Sequence, residues 1–173
     1  MSEIFFISDS HWGHKGIINF TATKPFRPFE TIEEHDVELV KRWNSVVGPK
    51  DTVWHLGDVC FGERNMHYIS QCNGRKKLVM GNHDMYEMTK YLQYFDRVFG
   101  AVEFKGMILT HIPVHEEQLK HRFFLNVHGH LHASNVLKAD GTKDMRYFNA
   151  SCEQINLTPI PYDEILNQWA NNN

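Results

Sequence analysis

Five short polar stretches hold the residues best able to do chemistry: Asp9-Ser10-His11, Gly57-Asp58, Gly81-Asn82-His83-Asp84, His111 and Gly129-His130-Leu131-His132. Carboxylate, carboxamide and imidazole are hard-to-borderline donors. Together they suit a pair of divalent metals without selecting one metal. Asp9 and His11 are two residues apart, as are His130 and His132, so an extended backbone puts both side chains of each pair on one face. Two ions about 3.5–4 Å apart need a shared carboxylate to screen their repulsion, and they hold a hydroxide between them. The glycines before Asp58, Asn82 and His130 permit the sharp turns that bring backbone close to an ion.

Each stretch follows an apolar run: Ile4-Phe5-Phe6-Ile7, Thr52-Val53-Trp54-His55-Leu56, Lys77-Leu78-Val79-Met80, Met107-Ile108-Leu109-Thr110, and Phe123 to His128. Runs of this length, bounded by Gly, Asn or Asp, read as buried strands. The polar groups therefore fall at the carboxyl ends of strands, where open α/β sheets place their ligands. Between the first two strands, Thr31-Ile32-Glu33-Glu34 is a capping box opening a helix to about Val47. Its stripe is Ile32, Asp36, Leu39, Val40, Trp43 and Val47. Further helices are expected from about Glu63 to Gln71, Tyr86 to Phe95 and Tyr162 to Trp169. Strands are expected over Val98–Phe104, joined to Met107–Thr110 by a tight Lys105-Gly106 hairpin, and over Arg146–Ala150. The segment His14–Glu30 is a long loop beside the site, of the kind that is usually functional. This order, βαβαβα and then mainly strands, predicts an α/β fold of two packed mixed β-sheets flanked by helices, formed by residues 1–173 as a single domain.

Bulk properties narrow the function classes. At 173 residues, 42% apolar and 23% charged, the chain has the make-up of an ordinary globular domain. A net charge of -3 argues against strong non-specific nucleic-acid binding, yet permits a nucleotide substrate, because bound dications make a pocket locally positive. Cys60, Cys72 and Cys152 lack metal-site spacing and read as reduced, buried thiols. An apolar strand begins within four residues of Met1, leaving no room for a secretory signal, and no run approaches the roughly 20 apolar residues of a membrane span. The expectation is a cytoplasmic protein without membrane attachment. His55, His67, His115, His121 and His128 read as structural or exposed, and Trp43 and Trp54 as core.

Alone, each motif has a bland explanation: a Gly-Asp after a strand is usually a turn, and a lone His a hydrogen-bonded structural residue. In this order, each after an apolar run, the five resemble the calcineurin-like metallophosphoesterase superfamily from Ile4 to His132. The segment His11-Trp12-Gly13-His14-Lys15-Gly16-Ile17-Ile18-Asn19-Phe20, with Arg27-Pro28-Phe29, further resembles a small, capless subgroup found in bacteria and their phages. The resemblance implies a four-layer α/β/β/α sandwich. It implies that Asp9, His11 and His132 bind one ion, that Asn82, His111 and His130 bind a second, and that Asp58 bridges them. The ions would be Mn, Fe, Ni, Zn or Mg, with Mn favoured in vitro. It also implies that His83 contacts the phosphate and protonates the leaving group, a role suited to an imidazole with an ordinary pKa of about 6.5. Asp84 is expected to orient that ring. Apart from the resemblance, Arg27 could reach a substrate phosphate, since a guanidinium matches phosphate oxygens, or anchor its loop through an ion pair, and His14 could line the substrate pocket or lie at the surface. The expected reaction is in-line attack of a metal-bridging hydroxide on a phosphoester. A nucleotide-like or other small diester is preferred, with a phosphomonoester as the alternative. A further alternative is a catalytically degenerate metal-binding interaction module. Oligomeric state is not written in the sequence.

Overall fold

A computed structural model describes residues 2–171. Its first sheet has the order β4-β3-β2-β1-β9. Strands β1 (Ile4–Ile7), β2 (Thr52–His55), β3 (Arg75–Val79) and β4 (Arg97–Phe99) run parallel, and β9 (Ile160–Pro161) joins β1 antiparallel. The second sheet has the order β5-β6-β7-β8. Here β6 (Met107–Leu109), β7 (Leu125–His128) and β8 (Tyr147–Asn149) are parallel, and β5 (Val102–Phe104) pairs antiparallel with β6.

The two-residue alternation of the strands divides the core. Phe5, Ile7, Val53 and Leu78 face outward from the first sheet, onto Leu39, Val40, Trp43 and Val47 of helix α1 (Ile32–Val46) and its C-cap. Phe6, Trp54, Leu56 and Val79 face inward, against Met107, Leu109, Leu125 and Val127 of the second sheet. Each such side chain contributes roughly 1.5–3 kcal/mol by leaving water. The first outward cluster also takes Ile69 of α2 (His67–Ser70) and Tyr91 of α3 (Met88–Tyr91). Helix α4 (Tyr162–Ala170) sends Ile165 into the inter-sheet core. The expected architecture of two mixed sheets flanked by helices is therefore the observed one.

The capping box is present in full. Thr31 Oγ1 accepts from the Glu34 amide at 3.2 Å, and Glu34 Oε2 accepts from the Thr31 amide at 3.3 Å. The Lys105-Gly106 turn has positive φ at both residues (51° and 80°), as a type I′ hairpin requires.

Other elements differ from expectation. The helix expected from Glu63 is a 3-10 turn, Glu63–Met66, followed by the single turn α2, and that expected over 86–95 is only α3. No side chain caps the N-terminus of any of these three short pieces. Helices this short do not sustain themselves, and buried anchors such as Met66, Ile69, Tyr91 and Phe95 hold the segments instead. The strand expected over Val98–Phe104 breaks at Gly100-Ala101, where the chain leaves the first sheet and enters the second. Strand β9 was not expected; at two residues with a proline it is tolerable only at a sheet edge. The three cysteines are free and buried, and burial pushes each thiol up to about 12. No helix among the described residues is long and apolar enough to cross a membrane.

Candidate metal centre

The polar stretches meet because the strand ends that carry them are stitched together. The Asp9 amide donates to Gly57 O at 3.0 Å and the His11 amide to Asp58 O at 3.1 Å, aligning the first two motifs. Ser8 then joins the sheets: its amide donates to Ala150 O at 2.8 Å, and its carbonyl accepts from the Cys152 amide at 3.1 Å. The Gly129 amide donates to His111 O at 2.9 Å. Asp9, His11, Asp58, His130 and His132 all have left-handed backbone, with φ between 48° and 68°. Non-glycine residues seldom adopt it, and such strain gathers at functional sites.

The side chains converge as two overlapping groups. Around Asp9 Oδ1 lie His11 Nε2 at 3.7 Å and His132 Nε2 at 3.8 Å. Around Asn82 Oδ1 lie His111 Nε2 and His130 Nδ1, each at 3.0 Å. Asp58 Oδ2 belongs to both, 3.5 Å from His11 Nε2 and 3.3 Å from His111 Nε2. Donors about 2.0–2.2 Å from one ion stand about 3–4 Å apart, so this spacing fits divalent ions. Asp9, His11 and His132 bring ligand atoms within 4.8 Å of one another, as do Asp9, Asp58 and His111.

Unpaired polar atoms carry the stronger test. Asp9 is fully buried, and its Oδ2 accepts from Ser151 Oγ at 2.9 Å and the His130 amide at 3.0 Å. Its Oδ1 has no hydrogen-bond partner, and neither has His11 Nε2. Buried groups left so cost about 1–3 kcal/mol each, and a cation among them removes that cost.

The charge states suit the same ligand. Burial alone would raise the Asp9 pKa, but the neighbouring His11, His111 and His132 imidazoles hold it well below the usual carboxylate range. Asp58 is lowered too, its burial outweighed by His111, His11 and the His83 amide. Burial lowers the His11 and His130 pKa values, keeping those imidazoles neutral. His111 and His132 are raised: burial opposes this, but the Asp58 and Glu153 carboxylates respectively favour the protonated ring. Metal binding would displace any proton on a coordinating nitrogen.

His83 stands at the opening. Its side chain is 43% exposed, with Nε2 4.0 Å from Asp58 Oδ2, and its amide donates to Asp58 Oδ1 at 2.9 Å. Asp84 does not orient that ring. Its carboxylate turns beneath the loop and accepts from the amides of Asp58 (2.8 Å), Val59 (3.0 Å) and Gly81 (2.8 Å). Those buried amides need an acceptor, and Asp84 supplies it, fixing the two loops that carry Asp58 and Asn82.

Of the two readings of Arg27, the ion pair is the one observed, and the substrate contact is not. Arg27 is fully buried, with Nε 2.7 Å from Glu153 Oε1 and Nη2 2.6 Å from Asp9 O. Its guanidinium is consumed behind the first motif and presents nothing to a substrate. His14 borders the site, stacked on Phe61 at 3.9 Å with its ring 5.5 Å from that of His11. Burial, then the neighbouring imidazoles, lower its pKa to about 4, so it is a neutral ring near pH 7. Ser151 and Glu153 were missed: no motif marks them, and Glu153 meets Arg27 across 126 residues.

Gly129 is required by close approach. A Cβ there would lie 1.9 Å from Ser8 Oγ and 2.5 Å from Asp9 Oδ2, both anchored groups. Gly129→Ala is expected to destabilise the fold by about 1–3 kcal/mol, the usual cost of overpacking, and to weaken metal uptake by displacing Asp9. Urea denaturation and Mn²⁺ titration check the two effects separately.

Strand-end Asp, Asn and His donors at the junction of two mixed sheets make a candidate centre for divalent metal ions. The family model described as "Calcineurin-like phosphoesterase superfamily domain" matches residues 3–152, and the chain belongs to that superfamily. Its relatives include an uncharacterized protein of Methanocaldococcus jannaschii, 31% identical over 96% of this chain and 90% of its own length. The Gene 66 protein of Mycobacterium phage L5 is 31% identical over 79% of this chain and 81% of its own. A crystal structure of a protein of unknown function from Aquifex aeolicus aligns with a TM-score of 0.71 and 28% identity, covering 96% of this chain and 99% of that one.

Proposed function

We propose that the chain is an active two-metal phosphoesterase that prefers diesters of a nucleotide-like or other small kind, working as one domain. The observation that carries this is Asp58, a single carboxylate oxygen within 3.5 Å of a ligand nitrogen from each group. In this reading Asp9, His11 and His132 hold one ion, Asn82, His111 and His130 the other, and Asp58 is common to both. Such a pair, when bound, supplies Lewis acidity at the phosphoryl oxygens and lowers the pKa of bound water toward about 7.

The protein's own groups do the rest. Ser151 Oγ and the His130 amide fix Asp9, and Asp84 fixes the loops of Asp58 and Asn82. His83, tethered through its amide, leaves Nε2 free at the opening to donate a proton to the departing oxygen. Asn82 and His83 are exposed, as is Met85 at 80%. That leaves room for a substrate continuing on both sides of phosphorus, which favours a diester.

The test is a metal-by-substrate panel on protein stripped of metal and reloaded with Mn²⁺, Ni²⁺, Zn²⁺ or Mg²⁺. Bis-p-nitrophenyl phosphate should be hydrolysed, with Mn²⁺ most effective, and faster than p-nitrophenyl phosphate; chelation should abolish both activities. A faster monoester reaction would replace diester by monoester specificity. Metal uptake without turnover of any phosphoester would make the chain an interaction module instead.

A further inference from the structure

Behind Asp9 and His132 lies a buried ion pair that makes no hydrogen bond or salt bridge, among the described residues, to Asn82, His111 or His130. Glu153 and Arg27 both have fully buried side chains, joined at 2.7 Å. The Glu153 Oε1 of that contact is also 3.0 Å from His132 Nδ1. An acceptor on Nδ1 keeps the proton there, so the lone pair of Nε2 faces Asp9 and the ligand cluster. Arg27 meanwhile donates from Nη2 to Asp9 O at 2.6 Å and from Nη1 to Ser10 O at 3.3 Å, gripping the left-handed turn from which Asp9 projects. The second group is supported differently: His111 Nδ1 donates to a neutral acceptor, the Leu56 carbonyl, at 2.8 Å.

Burying two charges costs several kcal/mol per ion unless each is well paired. A pair held at that cost, contacting two ligands of the same ion, has a use beyond packing. We propose that Glu153, held by Arg27, is a positioning residue that sets the affinity of the Asp9–His11–His132 ion site alone. The proposal rests on the two-ion reading above, and the experiment separates the two.

Metal-free wild-type protein and the Glu153→Gln variant are titrated with Mn²⁺, with binding followed by calorimetry and electron paramagnetic resonance. Wild type should take up two ions and give a spin-coupled spectrum. Glu153→Gln should bind one of them about 10–100-fold more weakly, the scale for losing an outer partner of a metal-bound histidine. At matched free Mn²⁺ its spectrum should become that of an isolated ion. His132→Ala should weaken the same ion, and adding Glu153→Gln to it should cost little more, because the carboxylate acts through that ring.

Fewer than two ions in wild type overturns the two-ion reading and this inference together. Two ions in wild type with unchanged, or equally weakened, sites in Glu153→Gln overturns the inference alone, as does full additivity with His132→Ala. If Glu153→Gln leaves Arg27 unpaired and does not fold, Arg27→Met/Glu153→Gln, which removes both charges, takes its place. Histidine 15N–1H spectra of zinc-loaded wild type give a readout independent of folding in any variant. The His132 proton should be on Nδ1, and a proton on Nε2 overturns the proposal.

Discussion

Asp58→Asn is expected to remove one ion of the pair and to lower phosphoester turnover by at least about 10³-fold, about 4 kcal/mol of lost transition-state stabilisation. The change is nearly isosteric, so the effect isolates charge and donor chemistry from packing. Asp58 Oδ1 already accepts the His83 amide at 2.9 Å. If the asparagine oxygen keeps that bond, its NH₂ group faces His11 Nε2 and His111 Nε2, which lie 3.5 and 3.3 Å from Oδ2 in the native protein. An amide nitrogen is no metal ligand, and the carboxylate charge that screens two dications is gone. If the amide flips, the His83 loop loses its anchor instead. Both outcomes damage a site that requires both oxygens. Mn²⁺ stoichiometry should fall from two toward one, while metal-free protein should keep its fold, since Asp84 still secures the Asp58 and Val59 amides. Full occupancy by two ions in the variant would show that Asp58 is not shared between them.

The parts of the molecule legible in the sequence are those written locally. Phe5, Phe6 and Ile7 alternate between two cores, and the strand-end position of Asp9 follows directly from that run. The Thr31–Glu34 box and the Lys105-Gly106 turn are short-range signals, and both elements form where expected. The break at Gly100 was invisible because the apolar texture continues through it while the pairing partners change sheet. Sequence adjacency pairs Asp84 with His83, but in a tight loop adjacent side chains point apart, and the amides of Asp58, Val59 and Gly81 claim the carboxylate. For Arg27 the sequence allows either a substrate phosphate or an ion pair as its target, and it cannot name the partner, because Glu153 is distant in sequence and belongs to no pattern. Local rules thus reach the candidate ligands, and the groups that hold the ligands are set by tertiary contacts.

His83→Ala is expected to keep both ions and the fold but to lose about 10²–10⁴-fold in turnover, the usual scale for removing a general acid. The imidazole is half in solvent, with its Nε2 4.0 Å from Asp58 Oδ2, and it packs only obliquely, its ring centroid 5.0 Å from that of Phe61 and 5.7 Å from that of His11. Deleting it leaves no cavity in the core, and the backbone amide that grips Asp58 survives. Metal affinity should therefore be nearly native, in contrast to Asp58→Asn. The leaving group then distinguishes two roles for the ring. Nitrophenolate departs readily without a proton, whereas an alkoxide or a nucleoside oxygen does not. If His83 Nε2 delivers that proton, the loss should be small on bis-p-nitrophenyl phosphate and large on an alkyl or nucleotide ester. Equal losses on both, with the ions retained, would mean that the ring stabilises charge on the phosphoryl oxygens instead. Full activity on every ester would remove His83 from the chemistry, leaving its amide as its sole contribution.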